Sequence, residues 1–225
     1  MGEAIGQLLP FAVGVAVSPM PIVAVVLMLV TRRARTNGPA FLVGWIAGIA
    51  ILGAILLAIA GPASASDDGR PAAWVDWLKL VLGLLLLVVA ARQWRGRPHE
   101  GDEAATPKWM GALDAFTPVK ALGAGVVLGT VNPKNLLLIV GAAAAVAQTG
   151  ISTGDQVIAW AVFTLIASLG VGAPVGIFFA LGDRAAELLD ELKTWLARNN
   201  TAIMAVLCLI IAVKLVGDAI TGFSS

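Results

Sequence analysis

Two stretches decide how this chain folds: Gly14-Val15-Ala16-Val17-Ser18-Pro19-Met20-Pro21-Ile22-Val23 and Gly129-Thr130-Val131-Asn132-Pro133-Lys134-Asn135-Leu136-Leu137. Each lies inside a long apolar run, and each interrupts that run with a small polar residue followed by proline. Pro19 and Pro133 are 114 positions apart, about half of the chain. Proline lacks an N–H and clashes with the carbonyl four residues earlier, so it breaks or kinks a helix. On that rule Pro19 frees the carbonyl of Val15, Pro21 that of Val17 and Pro133 that of Gly129. The same device at matching places in two halves predicts a duplicated architecture.

The surroundings of these stretches are apolar. Of 225 residues 59% are hydrophobic and 13% charged, with no tyrosine, against about 25% charge in a soluble domain. So little polar surface predicts a bilayer as solvent. The net charge of +1 predicts no attraction to nucleic acid. The lone Cys208 has no cysteine partner for a disulfide, thiol exchange or metal binding, and reads as a small core side chain.

A membrane-crossing helix needs about 20 apolar residues. Six segments qualify, near residues 4–30, 39–60, 77–91, 121–147, 156–181 and 201–220. The first carries Glu3 where a signal peptide has a basic region, and is expected to be a retained helix. The fold class predicted is therefore an all-α integral membrane protein of six transmembrane helices, with helices one and four broken by proline. Three helices per half is an odd number, so the second half enters the membrane upside down: two inverted three-helix repeats. Residues 1–91 form the first, 92–120 a long connection containing Pro98 to Pro107 and His99, and 121–225 the second. Thr36-Asn37-Gly38 and Gly44-Trp45 find rough counterparts in Gln148-Thr149-Gly150 and Ala159-Trp160. A turn is expected at Asp67-Asp68-Gly69-Arg70-Pro71. Within residues 184–198, Ala185, Leu188, Leu189, Leu192, Trp195 and Leu196 recur at helical spacing among charges. They predict a short amphipathic helix on the membrane surface, capped by Asp183.

Orientation follows from Lys and Arg. The first, third and fifth connections carry eleven: Arg32, Arg33, Arg35, Arg92, Arg95, Arg97, Lys108, Lys120, Arg184, Lys193 and Arg198. The second, with its flank, carries Arg70 and Lys79, and the fourth none. Odd connections are expected in the cytoplasm and both termini outside.

The candidate binding residues are Ser18, Pro19, Pro21, Asn132, Pro133, Lys134 and Asn135. Freed carbonyls in lipid are tolerated only where they face protein, water or ligand, and Ser18, Asn132 and Asn135 can extend such a polar patch. Lys134 is the most informative. An ammonium at mid-span costs about 2.5–3.5 kcal/mol on insertion scales, and such residues mark pathways. The helix N-terminus after Pro133 adds positive potential, so an anionic group such as phosphate, sulfate or carboxylate is the expected ligand. The bland alternative is a lysine that only satisfies the freed carbonyls. Lys214 and Asp218 are four apart and expected to pair. Pro174 among Gly170, Gly172 and Gly176 is a hinge candidate or a helix-contact face. Gly44 and Gly48 form a small-residue face that permits a homodimer. No nucleophile–base pair, metal cluster or cofactor motif is visible, so no catalytic residue, metal or cofactor is expected, and the chain does not read as an enzyme.

With these residues in view, the chain resembles the GAP/Sap family, the glycopeptidolipid- and sulfolipid-addressing membrane proteins of actinobacteria, related to the lysine-exporter (LysE) superfamily. The likeness rests on Ser18-Pro19-Met20-Pro21-Ile22, on residues 32–38 followed by Phe41-Leu42-Val43-Gly44-Trp45, and on Leu128-Gly129 with Asn132-Pro133-Lys134-Asn135-Leu136. It implies six helices and a transporter or flippase moving an anionic cell-envelope lipid, glycolipid or precursor toward the outer face. It also implies a larger lipid exporter as a partner. The alternatives are a small-solute exporter of the lysine-exporter type, and a non-transporting adaptor for a larger lipid exporter. A site for lysine itself would need a buried carboxylate, which the spans do not offer.

Overall fold

A computed structural model describes residues 1–64, 73–96 and 116–224. The turn expected at 67–71, Pro98 to Pro107, His99 and the capping side chain of Asp183 lie outside the described residues. Every regular element among them is helical: α1 (Gly2–Ala16), α2 (Pro19–Leu29), α3 (Ala34–Ser64), α4 (Ala73–Arg95), α5 (Pro118–Thr130), α6 (Pro133–Gln148), α7 (Thr153–Leu181), a 3-10 turn (Gly182–Arg184) and α8 (Ala185–Ser224). Four helices are long and apolar enough to cross a membrane, and six spans result if each bent pair counts as one.

The bent pairs are the two stretches quoted first. The chain turns by 50° between α1 and α2 and by 62° between α5 and α6. These are breaks rather than kinks, and they fall earlier than the proline rule alone predicts. The last helical bond of α1 runs from Val17 N–H to Val13 O (2.9 Å), that of α5 from Val131 N–H to Val127 O (2.8 Å). Ser18 and Asn132 then become N-caps of new helices, with proline in the first turn of each, where its missing N–H is harmless. Bonding resumes from Ile22 N–H to Ser18 O and from Leu136 N–H to Asn132 O. Each of these pairs is separated by the same 114 positions as the prolines.

Packing brings the halves together. α4 lies along α8, α3 along α5, α1 against α6 and α7, and α3 also against α6 and α7. Close approach explains several glycines. A Cβ on Gly44 would stand 2.0 Å from Leu122 O, and one on Gly125 2.2 Å from Phe41 O. The face of Gly44 and Gly48, small enough to permit a second copy, packs against α5 of the same chain. Gly170 meets Ala16 O in the same manner, at 1.9 Å, so this part of α7 is a helix-contact face, and α7 runs unbroken through Pro174. Trp160 wedges against Gly53 and donates its indole N–H to Ile49 O (3.3 Å), tying α7 to α3.

Two element boundaries differ from the sequence reading. α3 begins at Ala34, inside the basic connection, where Asn37 is buried and donates its amide to Phe116 O (3.0 Å). Residues 185–198 do not form a separate helix: they open α8, 40 residues long, about 60 Å at 1.5 Å per residue. Ala185, Leu189 and Leu196 are buried while Leu188 and Trp195 are exposed, so the amphipathic pattern is real but belongs to a continuous helix.

Candidate functional site

The two breaks meet in the middle of the bundle. Ser18 Oγ donates to Asn135 Oδ1 at 2.9 Å, across 117 positions of sequence. Asn135 Nδ2 donates to Leu128 O at 3.1 Å. Lys134 Nζ donates to Gly14 O at 2.7 Å, and the Lys134 backbone N–H is capped by Asn132 Oδ1 at 3.1 Å. Ser18 and Lys134 are 2% exposed and Asn135 0%. This is a closed polar centre inside an apolar core, and α6 supplies most of its donors.

Gly14 O and Leu128 O are the carbonyls that the breaks leave for new donors. They lie one residue after the last helical acceptors, Val13 and Val127, and one residue before Val15 and Gly129, the carbonyls opposite the prolines. The reason is the N-cap: its non-helical backbone turns the Ser18 and Asn132 N–H groups out of the helical ladder, so the loss begins one residue earlier. Gly14 and Leu128 are again 114 positions apart. Lysine closes one and asparagine the other.

Of the seven residues singled out in the sequence, Ser18, Lys134 and Asn135 form the buried network, and Asn132 braces it as the N-cap. Pro19 and Pro21 are buried in the first turn of α2, whereas Pro133 is exposed and serves only to start α6. A Cβ at position 14 would stand 2.6 Å from Ile211 Cδ1 and 2.9 Å from Leu138 Cδ1, so those two side-chain ends would have to shift to admit one. Cys208 on α8 is the electrostatic neighbour of Lys134. No carboxylate among the described residues lies within ion-pair distance of that ammonium.

A second polar cluster escaped the sequence reading. Asp76 and Lys79 are 6% and 7% exposed on α4, 3.7 Å apart. Gln148 Nε2 at the end of α6 donates to Asp76 Oδ1 at 3.3 Å. A Cβ on Gly222 of α8 would stand 2.3 Å from the same carboxylate oxygen. Lys214 and Asp218 pair on α8 as expected, with Lys214 5.6 Å from the Phe11 ring centroid. Asp76 sits at the edge of its apolar run, so hydropathy assigns it to a connection. Its burial comes from helices distant in sequence.

Apolar helices around a polar centre built from two helix breaks define a multi-pass membrane protein with interrupted helices. The model of the family described as Sap, sulfolipid-1-addressing protein, matches residues 8–221, and the chain belongs to that family. Neither the curated proteins nor the solved structures gave a match.

Proposed function

We propose that this chain crosses a bacterial plasma membrane six times, as two inverted three-helix repeats with both termini outside, and moves an anionic envelope lipid or glycolipid across it. The observation that carries this reading is Lys134, an ammonium 2% exposed with no acidic partner among the described residues. A buried charge without a counter-charge costs several kcal/mol, and membrane proteins retain such groups where a substrate needs them. Its position adds to the demand. Lys134 lies in the first turn of α6, where the helix dipole already favours an anion and disfavours a cation. An anionic headgroup there answers both.

The ammonium has three N–H donors. One holds Gly14 O and so fastens α6 to α1. In the proposed cycle the headgroup takes the place of that carbonyl, loosening the contact between the two halves and allowing one to rock against the other. Membership of a sulfolipid-addressing family supports a lipid over a small solute as cargo. A larger lipid exporter as partner is compatible with the same chemistry.

The test is native mass spectrometry of the detergent-purified protein, wild type and Lys134→Met. Wild type is expected to retain an anionic lipid selectively, and the variant to lose it while keeping its helical content. Equal retention by both, or none by wild type, would overturn the headgroup role.

A further inference from the structure

The 114-residue register extends to the last helix of each half, where no proline marks it. Asp76 and Lys79 on α4 correspond to Asp190 and Lys193 on α8. Both are acid–lysine pairs three residues apart, and both form ion pairs. They sit at opposite ends of the molecule. Gly222 touches Asp76, and Asp190 lies 32 residues earlier on the same helix α8, about 48 Å away at 1.5 Å per residue. Ile211 of α8, which packs at Gly14 beside the carbonyl that Lys134 holds, falls between them. Three lysines are thus strung along the bundle: Lys193 near one end, Lys134 at the breaks, Lys79 near the other.

The two pairs are in different states. The Asp76 pair is shut in, buried under Gln148 and Gly222. In the Asp190 pair the carboxylate side chain is 62% exposed and that of Lys193 26%. Both partners of each pair come from one helix, so neither ion pair by itself joins helices; the link from α4 to α6 is the separate bond from Gln148 to Asp76. A buried pair of this kind adds little to stability compared with apolar residues of the same size. Ion pairs at matched positions, one buried and the other open, call for a role in passage.

We infer that these two pairs are headgroup stations at the two membrane faces, where the lysine leaves its carboxylate to hold an anionic lipid headgroup on its way to or from Lys134. The inference rests on the proposed lipid-moving function. The open Asp190–Lys193 station receives the headgroup in this state, and the Asp76–Lys79 station opens when the halves rock. Lys214, paired with Asp218 between Lys134 and Lys79 along α8, continues the basic track on the shut side.

The test uses the full chain in phosphatidylcholine vesicles carrying traces of NBD-labelled phosphatidylglycerol, with uncharged NBD-glucosylceramide as control and dithionite quenching as the readout of exchange. The variants remove each pair as a unit, so that no carboxylate is stranded: Asp76→Asn with Lys79→Gln, and Asp190→Asn with Lys193→Gln. Each is expected to slow phosphatidylglycerol exchange fivefold or more, with glucosylceramide exchange and thermal melting unchanged, while Lys79→Arg and Lys193→Arg stay within twofold of wild type. Wild-type exchange in the paired variants, with Lys134→Met inactive, would remove the stations and leave the central site standing. Equal slowing of both lipids, or a lowered melting temperature, would make the pairs structural. No phosphatidylglycerol exchange by wild type would overturn the lipid-moving reading and the stations together.

Discussion

The first break and the second use the same backbone device and opposite side-chain chemistry. Both stop the helical ladder at equivalent valines, both restart it from an N-cap followed by proline, and both expose the equivalent carbonyls Gly14 O and Leu128 O. The first break brings only a hydroxyl, and Ser18 makes no side-chain cap to its own helix. The second brings Asn132 as cap, Lys134 to close the carbonyl of the other half, and Asn135 to close its own and to accept from Ser18. At the positions matching Lys134 and Asn135 the first half has Met20 and Pro21. The carbonyl-freeing break occurs twice, whereas under the proposed function a single cation is enough for a single headgroup.

That contrast can be broken in four ways. The largest expected effect is on Lys134→Met, with anionic lipid exchange in proteoliposomes lost to background, because the second break alone holds the central cation. Moving the charge to the equivalent place, Met20→Lys with Lys134→Met, is expected to restore none of it. Met20 is 45% exposed where Lys134 is 2%, so the twin position lies on the surface of the bundle; recovered exchange would show the two breaks to be interchangeable. Asn135→Ala strands the Ser18 hydroxyl and Leu128 O, and an unsatisfied buried group costs about 1–3 kcal/mol. A clear drop in melting temperature is expected in detergent, and an unchanged one would mean the breaks are not joined through Asn135. Ser18→Ala removes one hydrogen bond and is expected to cost about 1 kcal/mol by the same measurement, with lipid retention kept. A loss as large as that of Asn135→Ala would assign the first break a chemical role it does not have here.

A second comparison runs between the α4 and α8 pairs. Asp190–Lys193 stood in view as part of an amphipathic pattern, whereas Asp76 and Lys79 read as the ragged edge of a span. Hydropathy averages over a window and cannot tell a charge facing solvent from one folded under a neighbouring helix. The 114-position spacing of the two pairs equals that of Pro19 and Pro133 and is present in the sequence; that one pair is buried and the other open is decided by packing. At Gly44 and Gly48 the small-residue face is legible in the sequence, but that α5 of the same chain covers it is decided by packing.

The sequence by itself determined the solvent, the helical class, the places where the helices break and the residues that carry charge there, because each follows from local chemistry: apolar run length, a missing N–H at proline, and the cost of an ammonium in hydrocarbon. Only the tertiary structure decided the partners. That Lys134 closes Gly14 O, that Asn135 accepts from Ser18, and that Asp76 lies under Gln148 and Gly222 are contacts between residues 72 or more positions apart. They depend on how bent helices pack, and packing geometry is a property of all the side chains at an interface together rather than of any one stretch.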